Sequence, residues 1–130
     1  MDERGQQPKP HLDVATILVC DDDPSLRELV RAVLGPRYRF VEAADGTEAL
    51  GLAHEEPPDL IVLDVMLPGL SGIEVLEELR NDDQLKTIPV VVITAWSHAE
   101  IDAQVAGADR FVSKPFDPDD LSSAVEELLP

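Results

Sequence analysis

Short apolar runs alternate with stretches of helical period along most of this chain. Ile17–Cys20, Leu60–Leu63 and Val90–Ile93 are unbroken and rich in Val, Ile and Leu. Runs of that length without polar alternation suit parallel strands covered on both faces. Weaker strands are expected at Arg39–Ala43 and Arg110–Ser113. Between the runs, Leu26, Leu29, Val30, Val33 and Leu34 recur at helical spacing. Asp23–Pro24 gives that helix an N-cap with proline at its first position, and Gly35 gives its stop. Ser71–Gly72–Ile73–Glu74 has capping-box spacing, and either Ile73, Leu76 and Leu79 or Val75 and Leu76 offer an inner face. Asp117–Pro118 opens the last helix, striped by Leu121, Val125 and Leu128. Shorter helices are expected at Thr47–Ala53 and Ser97–Ala106. The order βαβαβαβαβα, joined by right-handed crossovers, predicts an α/β fold with a doubly wound parallel sheet. The polar residues 1–13, with Pro8 and Pro10, are expected to form a flexible tail ahead of one domain over 14–130.

Composition narrows the partners. At 130 residues and 44% hydrophobic, the chain can bury one core. Twenty-seven acidic against ten basic residues leave a net charge of −17. Such a surface repels phosphate backbones and anionic lipid, so neither direct nucleic-acid nor membrane binding is expected, and a divalent cation is favoured. Cys20 is the single cysteine. It excludes an internal disulfide, points to a reducing compartment, and sits in an apolar run as a small buried hydrophobe. With neither an apolar signal core at the N-terminus nor a span of about 18 apolar residues, a cytoplasmic protein is expected.

The chemistry collects where the apolar runs end. In a doubly wound sheet, ligands bind beyond the carboxyl ends of the strands, near the switch in strand order. The first run ends at Asp21–Asp22–Asp23, the third at Asp64, the fourth at Thr94 and the fifth at Lys114–Pro115. Gathered carboxylates repel one another and favour a cation, and oxygen donors suit Mg²⁺. A carboxylate can also be a nucleophile toward phosphorus, forming an acyl phosphate. Lys114 and the cation would then offset phosphoryl charge, with Thr94 as a hydrogen-bond donor. Asp23, placed before Pro24, reads as a helix cap rather than a ligand.

The segments ILVCDDD, LIVLDVMLPGLSG, VVVITA and FVSKPF, in this order, resemble the motifs of bacterial two-component response-regulator receiver domains. The resemblance covers roughly residues 15–129. It implies a (βα)5 flavodoxin-like sheet of five parallel strands in the order 2-1-3-4-5. By the same resemblance, Asp64 accepts the phosphoryl group. Asp21, Asp22, Asp64 and the backbone carbonyl of Met66 would hold Mg²⁺ or another divalent cation. Thr94 is the switch hydroxyl, Lys114 contacts the phosphoryl group, and Phe111 is the aromatic switch position. Lys114–Pro115 is where the family carries a cis peptide. The implied partners are a sensor histidine kinase or phosphotransfer protein and a downstream protein or fused output domain; a homodimer is a further possibility.

Plainer readings stand beside these. Thr94 could be an ordinary β-branched strand residue, and Phe111 could simply pack. His11, His54 and His98 have no metal-ligand spacing and are expected to face solvent. An aspartyl-phosphate phosphohydrolase would want an acid two residues after the nucleophile, where this chain has Met66; a phosphorylation-independent scaffold is the other alternative. Thr94–Gly107 is shorter than the family's usual segment, which puts the geometry of the fourth helix in question. Met66 and Trp96 are large apolar residues two positions after Asp64 and Thr94, so shielding of an acyl phosphate from water and slow self-dephosphorylation are expected. Whether the chain acts alone or belongs to a longer protein stays open.

Overall fold

The computed structural model describes residues 14–95, 102 and 107–129. Five parallel strands form one sheet: β1 (Thr16–Cys20), β2 (Arg39–Ala43), β3 (Leu60–Asp64), β4 (Val90–Thr94) and β5 (Arg110–Ser113). Their order across the sheet is β2-β1-β3-β4-β5, the doubly wound order 2-1-3-4-5. The described helices are α1 (Pro24–Leu34), α2 (Gly46–Glu55), α3 (Gly72–Arg80) and α4 (Pro118–Leu128). The helix expected over Ser97–Ala106, its shortening, and Trp96 lie outside the described residues, apart from Asp102.

Alternation within the strands explains the two layers. Leu18, Cys20, Ile61, Leu63, Val90 and Val92 point to one face, where they pack with Ala49, Ala53, Leu76 and Leu79 of α2 and α3. Ile17, Val19, Leu60, Val62, Val91 and Ile93 point to the other, against Val30 of α1 and Leu121 and Val125 of α4. Because both faces are covered, these strands need no polar positions, which is why they read as solid apolar runs. Leu29 departs from the predicted stripe of α1 and is 47% exposed. At about 100° per residue it lies a full 100° from Val30, beyond the edge set by Leu26, Val33 and Leu34.

The caps form as the sequence foretold. Asp23 accepts from Ser25 N–H, Asp117 from Asp119 N–H, and Ser71 and Glu74 close a reciprocal capping box. Helix α2 starts one residue before its expected limit, where Asp45 caps it by accepting from Glu48 N–H, and runs on to Glu55. The Lys114–Pro115 peptide is cis.

His54 is exposed yet engaged. Its Nε2 lies 2.6 Å from Asp82 Oδ2 and its Nδ1 2.8 Å from the Leu50 carbonyl, so both ring nitrogens face acceptors. The hydrogen bond to Asp82 raises the imidazole's pKa and lowers that of Asp82. The histidine contribution is full below its ordinary 6.5 and lost as pH rises through the raised value; the aspartate contribution is present above 3.8 and lost as pH falls through the lowered value. Thermal melts of wild type and His54→Gln should therefore differ most near pH 5 and converge as pH rises past the raised imidazole value.

Candidate functional site

The register of the sheet brings the polar strand ends together. Cys20 pairs with Leu63, and Asp21 and Asp64 each follow by one residue on neighbouring strands. Thr94 pairs with Ser113, and Lys114 follows it. Side chains alternate along strands, so Asp21, Asp64 and Lys114 share the pleat row of Val19, Val62 and Val112, on the α1–α4 face. Thr94 falls in the opposite row with Phe111, which is half-buried against the α2–α3 layer. Strand connections run in opposite directions from β1 and β3, so the acids stand at the topological switch point.

Asp21 and Asp64 are buried, at 2% and 3% exposure, while Asp22 is exposed. One carboxylate oxygen from each lies within 4.8 Å of the others. Lys114 Nζ donates to Asp64 Oδ2 at 2.8 Å and approaches Asp21 Oδ2 at 3.5 Å. The other oxygen of each buried acid accepts from main chain: Asp64 Oδ1 from Met66 N–H at 3.0 Å, and Asp21 Oδ1 from Asp23 N–H at 2.9 Å. Asp23 turns its own carboxylate to the helix cap, in keeping with the capping reading. The Met66 side chain is 55% exposed beside this cluster. Thr94 is buried at the end of β4, and its carbonyl accepts from Lys114 N–H.

Electrostatics set the donor set's preference. Burial pushes the Asp21 carboxyl up to about 6; the bond from Asp23 N–H opposes this, the adjacent Asp64 adds to it, and Lys114 again opposes. Burial pulls Lys114 down, but its bond to Asp64 and the charges of Asp64 and Asp21 outweigh that and raise it overall. Three carboxylates against one ammonium leave uncompensated negative charge. An all-oxygen donor set of this kind fits a hard divalent cation such as Mg²⁺. Cys20, just behind, is a buried thiol raised far above its ordinary range, first by burial and then by Asp21 and Glu48, so it stays protonated.

An acid whose folded pKa is raised destabilises in its ionised form. That cost is absent below the ordinary 3.8 and complete above about 6. Asp21→Asn is therefore expected to stabilise the metal-free protein at neutral pH by roughly 1–2 kcal/mol, discounted for solvent at the sheet edge. The same variant should lose most of the melting-temperature rise produced by Mg²⁺, as melts with chelator and with Mg²⁺ will show.

The sequence did not single out two glycines beneath this site. A Cβ on Gly72 would lie 2.3 Å from the Asp64 carbonyl oxygen and 2.7 Å from Val65 Cα. One on Gly46 would lie 2.3 Å from the Leu70 carbonyl oxygen. The bare backbones let α3 close upon the end of β3 at Asp64 and α2 upon the loop that follows it. Glycine at each helix's first position was the available signal.

Fold and cluster together define a doubly wound α/β domain with an acid-and-lysine site at its switch point. The chain matches the model of the response regulator receiver domain over residues 17–126. It is 42% identical over 117 residues to the DNA-binding response regulator MtrA of Mycolicibacterium smegmatis, covering 87% of this chain and 50% of that protein. It is 39% identical over 116 residues to the DNA-binding dual master transcriptional regulator RpaA of Synechocystis, covering 87% and 48%. The structure of chemotaxis response regulator CheY4 of Vibrio cholerae superposes with a TM-score of 0.82 at 30% identity, over 88% of this chain and 98% of that one. This chain belongs to the response-regulator receiver family of two-component signalling. It spans about half the length of the curated relatives it matches. Two of those relatives are DNA-binding by name. No described helix is long and apolar enough to cross a membrane.

Proposed function

We propose that this domain is a phosphorylation-controlled switch that accepts a phosphoryl group on Asp64 with Mg²⁺ held by Asp21, Asp22, Asp64 and the Met66 carbonyl. The observation that carries the reading is Lys114 Nζ at 2.8 Å from Asp64 Oδ2, in a cluster of three carboxylates. An Asp64 oxygen forms a bond to phosphorus, the bond from phosphorus to the donor's imidazole nitrogen breaks, and its electron pair leaves with the ring. Bound Mg²⁺ supplies charge neutralisation for the phosphoryl oxygens. Lys114 moves from the Asp64 carboxylate to the incoming phosphoryl oxygen, and Asp64 Oδ1 stays oriented by Met66 N–H. Thr94 then donates to the phosphoryl group, and Phe111, already half-buried, turns further inward, shifting an existing equilibrium. Donors are a sensor histidine kinase or phosphotransfer protein in the cytoplasm; the output is a downstream protein or a further domain.

With Met66 two residues after Asp64, the chain lacks a carboxylic acid where a phosphohydrolase would protonate its leaving group. That favours a held phosphoryl group over rapid turnover. Acetyl phosphate with Mg²⁺ is expected to add one phosphoryl group, mapped to Asp64 by peptide mass analysis, and chelator should prevent it. Labelling elsewhere, or labelling indifferent to Mg²⁺, would overturn the assignment.

A further inference from the structure

Arg27 stands in an electrostatically poor place. It lies in the first turns of α1, where the helix dipole disfavours a cation, yet its side chain is only 16% exposed. Its contacts account for it. One terminal nitrogen, Nη1, donates to the main-chain carbonyl of Asp21 at 2.7 Å, and Nε donates to Glu42 Oε1 at 2.8 Å. Glu42 lies on the neighbouring strand β2 and is braced from its other oxygen by Arg31 at 3.2 Å.

The contact falls at the residue where β1 leaves the sheet. Asp21 still donates its N–H to the Ala43 carbonyl, at 3.1 Å, as a continuing strand would. Its own carbonyl has turned away from the ladder and is taken up by Arg27. Every polar atom of Asp21 is thereby fixed: N–H by the end of β2, carbonyl by α1, Oδ1 by Asp23 N–H, and Oδ2 by Lys114. The main-chain carbonyl sets the peptide plane between Asp21 and Asp22, and that plane decides whether both carboxylates face Asp64. A planar guanidinium gripping a carbonyl and a carboxylate at once fixes such a plane where a single donor leaves it free to rock.

We infer that Arg27, anchored by Glu42, is a positioning residue that preorganises the Asp21–Asp22 peptide for the divalent cation. The inference rests on the proposed metal site and concerns only the cost of assembling it. Without the clamp, like-charged carboxylates relax apart in the metal-free state, and the cation must draw them back. Partners that orient metal ligands are worth roughly tenfold or more in affinity.

The test is Mg²⁺ titration calorimetry on the full chain, with melts in chelator alongside. Arg27→Met keeps the aliphatic stem and should weaken Mg²⁺ binding roughly tenfold. Glu42→Gln should weaken it several-fold, and Arg27→Lys, whose single ammonium cannot hold the Asp21 carbonyl and Glu42 in one plane, should recover only a small part of the loss. Hydrogen exchange at the Asp22 and Asp23 amides should quicken in Arg27→Met relative to the β3 amides. If Arg27→Met lowers the metal-free melting temperature while its Mg²⁺ affinity stays within twofold of wild type, the residue is merely structural and the inference fails. Should Arg27→Met not fold, Arg27→Lys and Glu42→Gln decide by the same criterion. Absence of Mg²⁺ binding in the wild type would instead strike at the metal site itself.

Discussion

Asparagine in place of Asp64 is expected to abolish phosphoryl uptake from acetyl phosphate while leaving a cooperatively folded protein. The amide oxygen is a poor nucleophile, so no acyl phosphate forms, and the reduced negative charge weakens the cation site as well. The fold should survive because the amide can still accept from Met66 N–H, a bond of 3.0 Å. Lys114 loses its charged partner but keeps Asp21 at 3.5 Å and lies partly in solvent. Intact mass after incubation with Mg²⁺ and acetyl phosphate, beside a thermal melt, provides the check. A variant that took up label to the wild-type extent would remove Asp64 from its role.

Gly72→Ala should destabilise the fold, against the usual preference of helices for alanine. In a helix interior the change would gain about 1 kcal/mol, and less at this first position. Here the added methyl meets the Asp64 carbonyl oxygen at 2.3 Å and Val65 Cα at 2.7 Å, both backbone atoms with no rotamer to yield. Relief requires α3 to lift from β3, which would strain the 2.9 Å bond from Gly72 N–H to the Val65 carbonyl. The expected net loss is roughly 3 kcal/mol, read as a shift in urea midpoint at unchanged slope. The phosphorylation rate should fall as well, since the displaced carbonyl belongs to Asp64, the proposed acceptor. An alanine variant as stable as wild type would show that the helix can retreat freely.

The strands were legible because the sheet buries them on both sides. Even the two weaker strands, Arg39–Ala43 and Arg110–Ser113, run as predicted. Strand ends gave the acids and the lysine, since a parallel sheet delivers all carboxyl ends to one edge. What escaped the sequence depends on partners distant along the chain. Arg27 reads as a solvated helix residue until β2 brings Glu42 beside it. His54 reads as a surface histidine until the turn after α3 supplies Asp82. Gly46 and Gly72 look like ordinary starts of helices, because the backbone that each approaches comes from another part of the chain. Leu29 was misread in the other direction: an apolar residue near a stripe need not lie under it.

The ion pair closing the site joins positions far apart in the chain: Lys114 lies 50 residues beyond Asp64 and 93 beyond Asp21. A chain emerging from the ribosome at roughly 5–20 residues per second therefore exposes its acids for seconds before the lysine appears. During that interval β5 is missing and the negative charges lack their built-in counterion. Any domain cut short of its final strand would present anionic groups with no ammonium to steady them, so competence arrives late in synthesis rather than growing with length.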